Sequence, residues 1–229
     1  MIQIIAHRGA SRECLENTLP AFRRAIDLGA DAVELDVHVT ADGSVIVHHD
    51  PVIRTSSAPP DLAGLPIASL TTAQAASLQL SDGGAVPTLA EVAALLAGRL
   101  TLYCELKGAG SARPALDVLR RSGVSCAVHA FDHRLIADAA SYAPDIARGV
   151  LEVSRHIDAA STPRAADARD LWQLVDYIDE SLVREVHAAG ARVIAWTAND
   201  PVVVGRLAAW GVDGLCTDDV AMVRRVLAR

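Results

Sequence analysis

The feature that most constrains the fold is a regular alternation of two kinds of segment. Short runs rich in valine, isoleucine and alanine are followed by longer runs of alanine and leucine with a helical period. This pattern is typical of βα units, in which helices join parallel strands. The predicted strands occupy residues 2–6, 32–37, 45–48, 100–106, 125–130, 147–151, 192–196 and 213–217. Eight candidate strands in 229 residues predict an α/β fold, a (β/α)8 TIM barrel, with a doubly wound sheet as the alternative.

Predicted helices fill most of the spaces between these strands. They occupy residues 18–28, 89–96, 112–121, 133–141, 180–189, 201–210 and 219–227. Gly29, Gly123, Gly190 and Gly211 stand where a helix ends and the next strand begins, as capping glycines do.

Two segments depart from the alternation. Residues 38–44 are too few for a helical crossover and contain Asp42-Gly43, which predicts a hairpin or tight turn. Residues 52–86 are rich in proline, glycine and serine, with only a weak helix near 73–80. We interpret this stretch as an insertion after the third strand within a single domain spanning 1–229, because the first 50 residues cannot form a core alone.

Composition excludes several classes of partner. The chain has 28 acidic residues against 21 lysines and arginines, a net charge of −7, which argues against binding nucleic acid or an anionic membrane. No apolar run approaches the roughly 20 residues that a membrane span needs. The first residues lack the basic and cleavage-site pattern of a signal peptide, so none is expected. The four cysteines lack metal or redox spacing. We therefore expect a cytoplasmic protein without stable membrane association.

Titratable side chains are concentrated where the first four predicted strands end. His7-Arg8, Glu34 with Asp36, His49, and Glu105 with Lys107 all follow or end apolar runs. In an α/β barrel the carboxyl ends of the strands meet at one face, where the active site lies. These side chains are therefore expected to converge.

Three of these residues form a candidate metal site. Glu34 and Asp36 are two residues apart, so on a strand both carboxylates point to the same face. A divalent cation would relieve their repulsion, and Glu105 adds a third carboxylate. An all-oxygen set of this kind suits Ca²⁺ or Mg²⁺ better than zinc. The alternative is an ion network in which the acids pair with Arg8 and Lys107.

His7 and His49 are candidates for general acid and general base, because imidazole titrates near neutral pH. A single histidine at a strand end more often hydrogen-bonds a neighbouring loop, but two that share a site with three carboxylates, an arginine and a lysine favour catalysis. His48 should point away from His49, since side chains alternate along a strand. Arg8 and Lys107 could bind an anionic substrate, or could simply balance the acidic residues.

The sequence also resembles the glycerophosphodiester phosphodiesterases, members of the phosphatidylinositol-phospholipase-C-like barrel superfamily. The resemblance rests on an ordered set of short motifs that runs from the first residues to near the end of the chain. The set comprises His7-Arg8-Gly9, Glu16-Asn17-Thr18, Glu34-Leu35-Asp36-Val37, Thr40-Ala41-Asp42-Gly43, His49-Asp50-Pro51, Pro87-Thr88-Leu89-Ala90-Glu91, Glu105-Leu106-Lys107, Phe131-Asp132, Trp196-Thr197-Ala198-Asn199, Gly211-Val212-Asp213-Gly214 and Thr217-Asp218.

The resemblance implies a role for each candidate residue. The family's metal ligands correspond to Glu34, Asp36 and Glu105, its acid–base pair to His7 and His49, its phosphate-binding cations to Arg8 and Lys107, and its pocket aromatic to Trp196. We interpret Glu16 as a carboxylate that orients Arg8 or a metal-bound water. Trp196 could instead pack within the barrel, and Glu16 could be a charge in the first turn of a helix.

The predicted function is metal-dependent hydrolysis of a small glycerophosphodiester to glycerol 3-phosphate and an alcohol. One histidine, assigned as His7, would take the proton of the glycerol 2-hydroxyl, and His49 would protonate the leaving alcohol; the reverse order is equally open. Other phosphodiesterases of the superfamily, with inositol or lysophospholipid substrates, are the nearest alternative. A Schiff-base aldolase using Lys107 and a binding module without catalysis are more distant ones.

Overall fold

A computed structural model describes residues 1–53, 55 and 58–228. Arg54, Ser56 and Ser57 of the predicted insertion, and the terminal Arg229, lie outside the described residues. The strands are β1 (Gln3–His7), β2 (Ala32–Val39), β3 (Val45–Val47), β4 (Thr101–Leu106), β5 (Cys126–Ala130), β6 (Ala147–Glu152), β7 (Asp170–Leu174), β8 (Arg192–Trp196) and β9 (Gly214–Thr217).

Within the described residues, eight of these strands form a closed parallel barrel. Neighbouring strands follow the order β1-β9-β8-β7-β6-β5-β4-β2, and β2 pairs back with β1, with Ile5, Ala6 and His7 opposite Ala32, Val33 and Glu34. The predicted TIM barrel is therefore confirmed. Closure excludes the doubly wound sheet.

One predicted barrel strand is not part of the barrel. The third strand, β3, pairs antiparallel with β2, so residues 38–44 form the predicted hairpin turn. The barrel reaches eight strands because it includes β7, which lies in a stretch where the sequence predicts no strand. This strand begins with Asp170, whose side chain is fully buried between two arginines. Because the charged pair Arg169-Asp170 is typical of a loop, the apolar pattern does not reveal this strand.

The helices alternate with the strands, and all of them lie where the sequence predicts a helix except the short helix Ser161–Ala165. They are α1 (Leu19–Asp27), α2 (Thr72–Ser77), α3 (Leu89–Leu96), α4 (Ala112–Ser122), α5 (His133–Tyr142), α6 (Ser161–Ala165), α7 (Glu180–Ala188), α8 (Pro201–Trp210) and α9 (Val220–Leu227). Short polar side chains begin several of them; Thr18 accepts a hydrogen bond from the Ala21 backbone at the start of α1. This cap fixes the loop that carries Arg8 and Glu16 above the barrel.

Buried apolar residues form three clusters. The largest lies between the barrel and the surrounding helices. The second fills the barrel interior with one residue from each barrel strand: Ile5, Ala32, Tyr103, Ala127, Leu151, Trp172, Ile194 and Cys216. This layer closes the lumen beneath the carboxyl ends of the strands, so a ligand can enter from that end only as far as the layer.

The third apolar cluster belongs to the insertion. It contains Ile53, Leu62, Ile67, Leu70 and Leu78, which pack together with Ile46 of β3. The insertion therefore has a small core that rests on the β2–β3 hairpin, and its Leu80 and Ser81 line a cleft with Glu16 and His48. Among the described residues, no helix combines the length and apolar character required to cross a membrane.

Candidate active site

A cavity of about 210 Å³ opens at the carboxyl ends of the barrel strands. Most of the residues predicted from the sequence line it: His7, Arg8, Glu34, His49, Glu105, Lys107 and Trp196. Asp36 lies beneath this lining, and Glu16 faces a neighbouring cleft. Larger clefts of about 500 and 560 Å³ lie elsewhere on the surface, but neither is lined by a histidine.

His7 ends β1 and is held by a carboxylate from the opposite end of the chain. Its Nδ1 donates to Asp218 Oδ1 at 2.6 Å, and its Nε2 lies 4.0 Å from Glu34 Oε2. Burial lowers the pKa of His7, but the hydrogen bond to Asp218 and the charge of Glu34 outweigh burial and raise it. The ring is therefore fixed with Nε2 toward the cavity and is readily protonated.

Arg8 occupies a strained turn directly after β1. Its φ is +56°, in the left-handed region, and its backbone N–H donates to Glu34 Oε2 at 3.2 Å. A Cβ on the next residue, Gly9, would lie 2.8 Å from Ala21, so the loop packs closely against α1. The Arg8 side chain reaches Glu16 Oε1 at 2.9 Å and Asp36 Oδ2 at 3.1 Å. Glu16 thus orients Arg8 from the side of the neighbouring cleft.

Asp36 is fully buried and already neutralised by the protein. Besides the contact from Arg8, its Oδ2 accepts a hydrogen bond from Asn17 at 2.9 Å, and its Oδ1 lies 3.1 Å from Lys107 Nζ. Burial raises the pKa of Asp36, but Lys107, Arg8 and Asn17 together hold it below its ordinary value. Asp36 is therefore a carboxylate that positions both cations.

The negative charges of Glu34 and Glu105 are balanced less fully by neighbouring cations and hydrogen-bond donors than that of Asp36. Glu105 Oε1 lies 2.6 Å from Lys107 Nζ, yet burial and the nearby charges of Asp36 and Glu34 raise the pKa of Glu105 to about 8. Among the described residues, Glu34, Glu105 and His129 form a group whose potential ligand atoms all lie within 4.8 Å of one another. Excess negative charge in a buried, oxygen-rich group is a suitable environment for a divalent cation.

His49 reaches the cavity from the segment after β3. Its carbonyl accepts a hydrogen bond from His38 Nε2 at 3.0 Å, and its Nδ1 lies 2.9 Å from Asp50 Oδ1. His48, one residue earlier, lines the cleft beside Cys14 and Glu16. The adjacent histidines therefore face different cavities, as strand alternation predicts.

An aromatic pair forms the outer wall. Trp196 and Phe131 meet edge to face with ring centroids 5.5 Å apart, and Lys107 Nζ lies 6.0 Å from the Phe131 centroid. Phe131 is 45% exposed, so it borders the mouth of the cavity. These rings give the cavity an apolar side opposite its charged floor.

Several residues in or next to the cavity had no predicted role. His129 lies within β5, Asp218 follows β9, and Asn17 holds Asp36. His129 is two residues before Phe131 and therefore shares its face, which is a signal that the sequence contains. Asp218 also follows a strand end, but nothing in the sequence links it to His7, 211 residues away.

The barrel, the two histidines and the acidic group with its cations define a class of protein: a TIM-barrel enzyme whose site suits a phosphate ester. The model of the glycerophosphoryl diester phosphodiesterase family matches residues 7–222. The chain belongs to this family, which confirms the enzyme class predicted from its motifs.

Known relatives cover nearly the whole chain. A glycerophosphodiester phosphodiesterase from Caldanaerobacter subterraneus subsp. tengcongensis is 28% identical, over 94% of this chain and 93% of the relative. A phosphodiesterase from Oleispira antarctica, solved in complex with the product sn-glycerol-3-phosphate, superposes with a TM-score of 0.88 at 26% identity, covering 99% of this chain and 97% of the other. The Thermotoga maritima glycerophosphodiester phosphodiesterase gives 0.79 at 26%, covering 99% and 98%.

Proposed function

We propose that this chain hydrolyses small glycerophosphodiesters to glycerol 3-phosphate and an alcohol by general acid–base catalysis with two histidines. The observation that carries the proposal is that His7, His49, Arg8 and Lys107 line one cavity of about 210 Å³. This volume is below the roughly 300–1,000 Å³ of sites for drug-sized ligands, which suits a compact polar substrate. The product complex of the Oleispira antarctica relative supports the same substrate class.

The site also suits a divalent cation, Ca²⁺ or Mg²⁺, held by Glu34 and Glu105. The third predicted ligand, Asp36, contacts Arg8 and Lys107 and would contribute from beside them. The raised pKa of Glu105 supports this part of the proposal, because it results from burial and from the nearby negative charges of Asp36 and Glu34. When bound, the cation would supply Lewis-acid stabilisation of the phosphoryl oxygens.

The two histidines move the protons. His7, oriented through Nδ1 by Asp218, accepts at Nε2 the proton of the glycerol 2-hydroxyl as that oxygen attacks phosphorus. His49, whose Nδ1 contacts Asp50, donates from Nε2 to the leaving alcohol oxygen as its bond to phosphorus breaks. The roles reverse when water opens the cyclic phosphate, so both histidines return to their starting states.

Arg8 and Lys107 stabilise the negative charge of the phosphoryl group. Both cations are fixed beforehand by Asp36, at 3.1 Å in each case, so little reorganisation is needed when the substrate binds. The aromatic pair Phe131 and Trp196 borders the mouth, where the leaving alcohol would extend.

The environment of Lys107 disfavours a Schiff-base aldolase. Such an enzyme needs a neutral amine, and therefore a lysine with a lowered pKa. Burial does lower the pKa of Lys107, but Asp36 and Glu105 outweigh burial and raise it above its ordinary value. Lys107 is thus held as a cation.

A metal-supplemented screen of glycerophosphodiesters, with released glycerol 3-phosphate as the readout, tests the proposal. We expect turnover of glycerophosphocholine or glycerophosphoethanolamine, loss of activity with EDTA, and a fall in kcat of about 10²–10⁴-fold in His7→Ala and in His49→Ala. His187→Ala is the matched control, because His187 contacts Asp213 at the other end of the barrel. Near wild-type turnover in either histidine variant would refute the acid–base assignment. If the chain hydrolyses only inositol or lysophospholipid diesters, it has one of the other phosphodiesterase activities of the superfamily.

We also place the enzyme in the cytoplasm. All four cysteines are free thiols, and Cys104 and Cys216 are buried, where burial raises the pKa of both thiols well above its ordinary value. Such thiols remain protonated and are stable in a reducing compartment.

A further inference from the structure

His129 is a buried histidine in the interior of the barrel. It lies on β5 opposite Glu105 of β4 in the strand register, it faces the cavity, and only 1% of its surface is exposed. The proposed mechanism does not use it.

The ring has close neighbours, but no hydrogen-bond partner is found for it within the described part of the chain. It stacks on Trp172 with centroids 4.2 Å apart and planes at 7°. Nδ1 has no partner, and the nearest carboxylate oxygen, Glu34 Oε1, lies 3.7 Å from Nε2, which is too far for a hydrogen bond. Leaving a buried polar group unpaired costs about 1–3 kcal/mol. Nε2, the nitrogen on the side of Glu34, has no hydrogen-bond partner among the described residues either, so it is available to a ligand in the cavity.

The carboxylates around His129 indicate what that ligand is. Potential ligand atoms of Glu34, Glu105 and His129 lie within 4.8 Å of one another, and all three residues are buried. Asp36, in contrast, has both oxygens engaged by Asn17, Arg8 and Lys107. The imidazole of His129 thus lies near Glu34 and Glu105, the two carboxylates whose charge is balanced less fully by the protein.

We propose that His129 is a nitrogen ligand of the divalent cation, beside Glu34 and Glu105, and that the site consequently prefers a transition metal such as Co²⁺ or Mn²⁺ to Ca²⁺. This inference rests on the divalent-cation site of the proposed function. Imidazole is a good ligand for transition metals, whereas Ca²⁺ selects oxygen ligands. Flat stacking on Trp172 would hold the ring in place.

The test compares metal binding in the wild type with that in His129→Phe, without substrate. Phenylalanine keeps the aromatic packing on Trp172 and removes both nitrogens. We expect His129→Phe to lose at least about tenfold in Mn²⁺ and Co²⁺ affinity by calorimetry, while Ca²⁺ affinity changes less. Pulsed electron paramagnetic resonance of bound Mn²⁺ should show coupling to a nitrogen nucleus in the wild type and in the control His187→Gln, and none in His129→Phe.

Each outcome is decisive. Equal metal affinities in wild type and His129→Phe, or a wild-type Mn²⁺ spectrum without nitrogen coupling, would overturn the inference. If His129→Phe does not fold, His129→Gln replaces it, with the same expected loss of nitrogen coupling. A chain that binds Mn²⁺ through nitrogen but turns over no glycerophosphodiester would support the ligand and refute only the proposed substrate. No metal binding at all would refute both the ligand and the metal requirement.

Discussion

The two ends of the barrel each bury charged side chains, but they balance the charges differently. At the amino end, the fully buried Asp170 lies between two arginines: Arg169 contacts both of its oxygens, at 2.9 and 2.6 Å, and Arg192 lies 3.0 Å away. Tyr103 extends this network, accepting from Arg192 at 3.0 Å and donating to Gln3 at 2.7 Å. One acid is thus matched by two cations and a chain of hydrogen bonds.

At the carboxyl end, the acids outnumber the cations. Glu34, Asp36 and Glu105 share Arg8 and Lys107, and the pKa of Glu105 is raised to about 8 as a result. A charged network that is satisfied within the protein contributes to stability, whereas one left unbalanced is suited to binding a ligand. The difference therefore separates a structural end from a functional end, and substitutions at the two ends should have opposite effects.

The largest expected effect is on activity, at the carboxyl end. Glu105→Gln should lower kcat by about 10³-fold, equivalent to about 4 kcal/mol, because it removes charge from the proposed metal site. Its stability, measured by urea unfolding with EDTA present, should be unchanged or higher, because the raised pKa means that the folded state disfavours the charged form. Destabilisation of Glu105→Gln by more than about 1 kcal/mol would mean that this end, too, is structural.

The matching substitution at the amino end is Asp170→Asn, which should affect stability and not activity. It removes the only carboxylate between Arg169 and Arg192 among the described residues, and breaking a buried ion pair costs about 3–5 kcal/mol. We expect a loss of about 3 kcal/mol in the free energy of unfolding, because both arginines are partly exposed and can be rehydrated. The kcat of the folded fraction should stay within about twofold of the wild type. A large fall in kcat without a loss of stability would contradict the division between the ends.

The sequence predicts the functional end better than the structural end, for a physical reason. Most predicted site residues, such as His7, lie at or near the end of a visibly apolar predicted strand, and the barrel rule then brings the strand ends together. β7 was missed because its first residue is an acid whose burial depends on Arg192, a residue 22 positions later. His129 has no predicted role because it lies inside a strand and not at its end, although its spacing of two from Phe131 places both on one face. Long-range pairing decides the case of β7, and the choice of strand ends alone decides that of His129.

The smallest expected effect comes from Tyr103, which reaches the amino-end network from the barrel interior. Tyr103→Phe keeps the ring that packs edge to face on Trp172 at 5.1 Å and removes only the hydroxyl between Arg192 and Gln3. We expect a loss of about 1 kcal/mol in stability and no change in kcat, because the hydrogen bonds are lost while the core packing stays. Urea unfolding and steady-state kinetics on the same preparations check both parts. Because Tyr103 is also close to His129, with ring centroids 6.5 Å apart, a change in kcat would show that the aromatic layer couples the two ends.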